Sequence, residues 1–227
     1  LSAGKEKHSL PVDVIEKYLV EYASIKPSGK VLLTGGEPFL HPDLDRIIET
    51  GHNAGLKISV NTNGTLLTRE WIGKNGAMLH GLQISIDGFS PDMHDSIRGA
   101  GSFVKSWRAV DDCVQTLPEG VVFRISVSVF PQNVQDIIDN ILPSLCAVDP
   151  DRRMVVIFNP VAPLGRAKST QSSNYAFINN HFRETFEALD ANGWSTGSDI
   201  QSSIRQAKCG IGEYIVVRAN GKKTPCN

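Results

Sequence analysis

Apolar and polar residues along this chain fall into two periods. Val12, Ile15, Leu19 and Tyr22 recur three or four positions apart, which places them on one face of a helix running from Pro11 to Ile25. The same spacing predicts helices from His41 to Ala54, Thr68 to Gly76, Phe103 to Leu117, Val134 to Val148 and Phe177 to Ala191. Five short apolar-rich runs lie between them: Lys30–Thr34, Leu56–Thr62, Leu82–Asp87, Val121–Phe130 and Met154–Val161. Strands that alternate with helices build βαβ units and a parallel sheet, here expected to curve as a barrel or part of one. The stretch Gly165–Asn174 is polar and has linker character.

Three of these strands alternate within themselves. Ser59, Asn61 and Asn63 interleave with Ile58, Val60 and Thr62, and Gln83, Ser85 and Asp87 interleave with Leu82, Ile84 and Ile86. Arg124, Ser126 and Ser128 do the same with Ile125, Val127 and Val129. Side chains switch faces at each strand residue, so each strand has one apolar and one polar face. With the apolar faces turned out to the helices, the polar faces line a lumen. A closed eight-stranded barrel fills its interior with branched apolar residues, so a polar lumen favours an open, partial barrel holding a polar ligand. A single solvent-exposed sheet face is the alternative, but it leaves the interleaved helices only one side to cover.

The first strand stops at Gly35-Gly36-Glu37-Pro38. Two glycines let a ligand approach the backbone closely, Glu37 adds a carboxylate at the strand's C-terminal tip, and Pro38 stiffens the exit. Tips of this kind are where ligands bind in open parallel sheets. Of 227 residues, 41% are hydrophobic and the net charge is -1, enough for a real core and no electrostatic case for nucleic acid or an anionic membrane. No apolar run reaches the length of a membrane span, and the four cysteines, Cys113, Cys146, Cys209 and Cys226, do not form a secreted disulfide pattern. A cytoplasmic setting is therefore expected, with Cys113 and Cys146 read as buried helix residues.

Four fragments in order carry a resemblance: Gly35-Gly36-Glu37-Pro38, Thr62-Asn63-Gly64, Ser85-Ile86-Asp87-Gly88, and His94-Asp95 with Arg98-Gly99. Together they resemble the radical S-adenosylmethionine enzymes, and most closely the branch with a C-terminal SPASM or Twitch extension. The resemblance implies a six-stranded partial (β/α) barrel over residues 1–192, with five strands in view. Residues 193–227 would be a linker and the start of the extension. It implies S-adenosylmethionine and a [4Fe–4S] cluster as cofactors, with reductive cleavage to a 5′-deoxyadenosyl radical that abstracts hydrogen from a substrate, expected to be a peptide or protein side chain. An electron donor such as ferredoxin or flavodoxin would serve it. The family's CxxxCxxC is missing, since no two cysteines lie closer than seventeen positions. The sequence is therefore expected to begin after the cluster loop. A cluster-less barrel that binds a nucleotide or peptide without catalysis is the alternative.

By the same resemblance, Gly35, Gly36 and Glu37 meet the cofactor's amino group, Ser85 and Arg98 its carboxylate, and Asn63, Asp87 and Ser126 the ribose. Val161 and Leu164 would pack on the adenine. Arg98 could instead pair with Asp95, and Asp87 could be a strand-end carboxylate capping the next turn. Arg124, in the lumen, is assigned to substrate. His41, His80 and His94 read as turn or surface residues. The spacing Cys209-x11-Gly221-x4-Cys226, around an Asn220-Gly221 hairpin signal, is similar to the opening of the auxiliary-cluster motif. It implies Cys209 and Cys226 as ligands of an auxiliary iron–sulfur cluster.

Overall fold

The alternation along the strands becomes the two faces of one curved sheet. The computed structural model describes residues 9–160, 184–197, 215–217 and 223–225. In chain order the elements are α1 (Val12–Ile25), β1 (Lys30–Leu33), α2 (Leu44–Asn53), β2 (Lys57–Thr62), α3 (Arg69–Asn75) and β3 (Gly81–Ser85). Then come α4 (Pro91–Arg98), α5 (Ser102–Thr116), β4 (Val122–Val129), α6 (Val134–Val148) and β5 (Val155–Pro160). A helical stretch at 184–191, α7, precedes β6 (Ser195–Gly197). β1 to β6 form one sheet in sequential order, every neighbouring pair parallel. This is a partial (β/α) barrel.

Burial follows the alternation. Ile58, Val60, Leu82, Ile84, Ile125, Val127, Val156 and Phe158 are almost fully enclosed, on the face that the helices cover. The intervening Ser59, Asn61, Gln83, Ser85, Arg124, Ser128 and Asn159 are half-exposed on the other, concave face. The helix-side residues form one continuous core with Leu19, Ile47 and Ile48, Ile72, Val110, Ile137, Ile141 and Leu145. Two of the helices start on a side-chain cap. Thr68 and Ser90 cap α3 and α4 by accepting from Trp71 N and Met93 N, and Pro91 occupies the first turn of α4.

Three expectations change. The sheet has six parallel strands rather than five in view, because Ser195–Gly197 pairs with Val155–Ile157 beyond the boundary expected at residue 192. This strand is three residues long and follows the buried Trp194, too short to give a periodic signal. Cys146 is exposed on α6, not buried. The inward face of α6 is Val134, Ile137, Ile141 and Leu145, and one further residue turns about 100° away from it. His94 is fully buried rather than a surface residue. Two further strands, β7 (Ile215–Val217) and β8 (Lys223–Pro225), pair antiparallel as the expected hairpin requires. Val161, Leu164, Cys209 and Cys226 lie outside the described residues, as does the linker at 165–174.

Candidate active site

The strand exits of the sheet gather Gly35, Gly36, Glu37, Asn63, Ser85, Asp87, Arg98 and Ser126 along one rim, while Arg124 lies near the start of β4. After β1, Gly35 has φ +128°, a backbone that L side chains rarely adopt. A methyl group built on Gly35 or Gly36 would meet no atom within 4 Å, so the space over both is open. Glu37 turns away from this space and braces the rim. Its Oε1 accepts from the Thr62 hydroxyl at 2.6 Å and from Phe39 N at 3.3 Å, and its Oε2 accepts from Asn63 N at 2.8 Å. Thr62 Oγ1 in turn accepts from Gly64 N at 3.0 Å. One carboxylate thus ties the exit of β1 to the exit of β2. The Asn63 side-chain oxygen accepts from the Thr65 amide and hydroxyl, and its backbone carbonyl from Ser106.

Asp87 organises the other half of the rim. It is fully buried, with Oδ2 accepting from Arg98 Nε at 2.6 Å and Oδ1 from Ser128 N at 2.7 Å. Its own amide donates to His94 Nδ1 at 3.3 Å, and its carbonyl accepts from Asn133 Nδ2 at 2.7 Å. The carboxylate therefore pairs with Arg98 and pins β4, rather than capping the next turn. Arg98 comes to it on the last turn of α4. The terminal nitrogens of that guanidinium make no hydrogen bond among the described residues, and the side chain is 22% exposed.

Arg98 does not pair with Asp95. That carboxylate accepts from Gly101 N at 2.6 Å, Ser102 Oγ at 3.1 Å and Phe103 N at 2.7 Å, which starts α5. These bonds, the one from Phe103 foremost, hold the Asp95 carboxyl below its ordinary pKa. A carboxyl lowered in the folded state stabilises above its unfolded pKa of about 4 and loses that stabilisation as pH falls through the lowered value. Asp95→Asn should therefore lose more stability against wild type at pH 7 than at pH 2.5, by urea unfolding at the two values. An equal difference at both would show the carboxylate to be idle.

His94 sits behind this cluster. Burial, and secondarily Arg98, push its imidazole below the usual histidine pKa, which favours the neutral ring. With Nδ1 accepting from Asp87 N, the proton belongs on Nε2, which has no partner among the described residues. The ring meets Phe103 edge-on at 5.7 Å.

Ser85 is half-exposed on the concave face, and Ser126 is nearly buried beside it, its hydroxyl accepting from Asn159 Nδ2 at 2.7 Å. Arg124 lies further down the same face, in register with Gln83 and Val155. Sequence reasoning missed Thr62, Asn133 and Asn159 as rim residues. Asn159 carried the signal that identified the others, a polar residue at a concave position near the end of a strand.

The described residues contain no group of three His, Cys, Asp or Glu side chains placed to hold a metal ion. Cys113 is buried, and burial pushes its thiol up, away from the thiolate a metal needs. No described helix is long and apolar enough to cross a membrane.

A parallel partial barrel with an open two-glycine tip and a buried Asp–Arg pair is the setting in which the comparisons fall. Residues 2–141 match the Radical SAM superfamily, and the chain belongs to that family. It is 35% identical over 131 residues to the AdoMet-dependent heme synthase of Methanosarcina barkeri, covering 56% of this chain and 36% of that protein. It is 34% identical over 126 residues to the mycofactocin maturase MftC of Mycobacterium tuberculosis, covering 54% and 29%. The chain thus spans about a third of the length of these curated relatives. In three dimensions it is similar to Streptococcus suis SuiB bound to precursor peptide SuiA. The TM-score is 0.74 at 16% identity, with 99% of this chain and 55% of that one covered, a likeness of fold. S-adenosylmethionine and a [4Fe–4S] cluster are the cofactors of this family.

Proposed function

We propose that this chain is the barrel of an enzyme that modifies a peptide or protein side chain by hydrogen abstraction. The observation that carries the reading is the open space over Gly35 and Gly36 after β1, together with a guanidinium on α4 whose terminal nitrogens make no hydrogen bond among the described residues. That rim fits the methionine end of S-adenosylmethionine. The backbone at Gly35–Gly36 receives the ammonium, and Arg98, with Ser85 near it, receives the carboxylate through the guanidinium's two-pronged geometry. Glu37 acts through the rim rather than at the ammonium, since both its oxygens already hold Thr62, Phe39 and Asn63. Asn63 and Ser126 serve the ribose, and Asp87 acts on it only by holding Arg98 and β4. Val161 and Leu164 are assigned to the adenine, and Arg124 to the substrate.

Bound together, the cofactors supply a primary carbon radical; the barrel binds, orients and excludes water. The cluster is assigned no ligand among the described residues, and Cys209 with Cys226 is assigned to an auxiliary cluster. An electron donor of the ferredoxin or flavodoxin type completes the cycle. A peptide substrate is supported by the name maturase on one relative and by the precursor peptide bound to SuiB. The heme synthase name points to a small-molecule substrate in another relative. Incubation of the full protein, reductant and S-adenosylmethionine with candidate precursor peptides tests the reading. Formation of 5′-deoxyadenosine that no peptide stimulates would defeat the peptide assignment.

Gly36→Ala gives a sharper test of the rim. Its new methyl meets nothing in the protein, so the melting temperature should stay within about 2 °C of wild type. S-adenosylmethionine affinity by calorimetry should fall about tenfold or more, because that methyl occupies the cofactor's place. Unchanged affinity would move the cofactor away from this tip.

A further inference from the structure

The concave face has a second end. Val31 and Leu33 pack on the core, so Lys30 and Leu32 turn the other way, and buried Ile58 and Val60 likewise turn Lys57 and Ser59 onto the concave side. Lys30 and Lys57 are register partners on β1 and β2, about 5 Å apart along the sheet, both exposed at the N-terminal mouth of the barrel. Arg124 reaches toward them. A methyl group built on Gly81 would lie 3.0 Å from Arg124 Nη1 and 3.2 Å from Ser59 Oγ, so the guanidinium crosses the bare backbone of β3 toward β2. Among the described residues no ion pair or side-chain hydrogen bond occupies Lys30, Lys57 or Arg124. Their combined field is felt at His80, at the same mouth. Its imidazole is held below the usual pKa first by burial and then by Lys57, Lys30 and Arg124.

Three cations with no ion pair among the described residues converge on one mouth and call for an anion, and the setting selects its kind. Phosphate cradles are built from backbone amides at helix N-termini. The strands here begin where preceding helices end, so among the described residues this mouth presents no helix N-terminus to a phosphate. The cations are instead spread over β1, β2 and β4, and Leu32, 52% exposed, stands in the row above Lys30. Spaced charges beside an apolar contact match an extended chain, whose alternate side chains fall about 7 Å apart. We propose that the N-terminal mouth of the barrel binds an acidic stretch of polypeptide, with Lys30, Lys57 and Arg124 holding carboxylates and Leu32 an apolar side chain beside them. The proposal rests on the peptide-substrate reading and names the kind of segment the barrel takes.

The test is fluorescence anisotropy of the purified protein at low ionic strength, where screening is least. The probe is a fluorescein-labelled decapeptide, Glu-Ser-Leu-Ser-Glu-Ser-Leu-Ser-Glu-Ser, which puts Glu and Leu on one face of an extended chain, compared with its counterpart carrying Gln for each Glu. The Glu peptide should bind about tenfold or more tightly than the Gln peptide. Lys30→Glu with Lys57→Glu should remove that preference, while Lys105→Glu with Arg108→Glu, an equal charge change on exposed positions of α5, should keep it. Both lysines are exposed, so the reversal should leave the circular dichroism spectrum unchanged; Lys30→Gln with Lys57→Gln gives the same direction with less perturbation. Equal binding of the two peptides overturns the site. So does an intact preference in the mouth variants or its loss in the α5 control. Displacement by inorganic tripolyphosphate at lower concentrations than by unlabelled Glu peptide would hand the mouth to a phosphate ligand and overturn the peptide assignment. No cofactor or turnover enters the measurement, so failure of this site and failure of the peptide-modification reading are separately visible.

Discussion

Arg98→Ala should lower the stability of the barrel by about 3 kcal/mol and abolish most of its affinity for S-adenosylmethionine. Removing one member of a buried pair leaves the other as an uncompensated charge, which costs about 3–5 kcal/mol. Asp87 is fully enclosed, so this applies to it, while the 22% exposure of Arg98 places the effect at the low end. The Ser128 amide continues to satisfy Oδ1, which also limits the loss. Urea unfolding measures it, and the double variant Arg98→Ala with Asp87→Asn should recover part, because the orphaned charge is gone. A loss below about 1 kcal/mol would mean that water enters and solvates Asp87. Calorimetry separates the second, proposed role: the double variant should regain stability but not cofactor affinity, since the guanidinium assigned to the carboxylate is still absent.

Gly88→Ala should be comparably damaging for a different reason. A methyl group there would lie 2.6 Å from the backbone nitrogen of His94 and 3.0 Å from its Cα. Backbone atoms of a helix cannot step aside as a flexible side chain can, so the whole of α4 must move. Overpacking ordinarily costs about 1–3 kcal/mol, and this contact belongs at the top of that range. For a chain of this size the melting temperature should drop by about 6–12 °C. The displaced helix carries His94 away from the Asp87 amide and Arg98 away from the Asp87 carboxylate, so cofactor affinity should fall in the same variant. A melting temperature within about 2 °C of wild type would show that the turn after β3 relaxes freely. Gly36→Ala is the contrast, because its methyl group would meet no protein atom within 4 Å.

How far such contacts were legible depends on whether they were local. The concave face could be read from Ser59 to Ser128 because a period of two is a property of neighbouring residues. The Asp87–Arg98 pair spans eleven positions and depends on α4, a helix of eight residues between Ser90 and Gly99 that is too short for its apolar period to stand out. His94 looked like a surface residue because nothing local shows that α4 folds it against Phe103 and beneath Asp87. The direction of Glu37 was hidden as well. A carboxylate at a strand tip can face a ligand or the next strand, and only the pairing of β1 with β2 brings Thr62 and Asn63 within its reach. The sixth strand escaped because three residues are too few to establish any period.

The two carboxylates at the rim have a consequence for the thermodynamics of recognition. Strand ends ordinarily fray, and loops that receive ligands are usually drawn from the least protected parts of a fold. Here the amides of Asn63 and Ser128, both at strand exits, are fastened by Glu37 and Asp87. A ligand arriving at this rim meets main chain that is already immobilised, so little backbone order remains to be gained and little of the contact free energy is lost in gaining it.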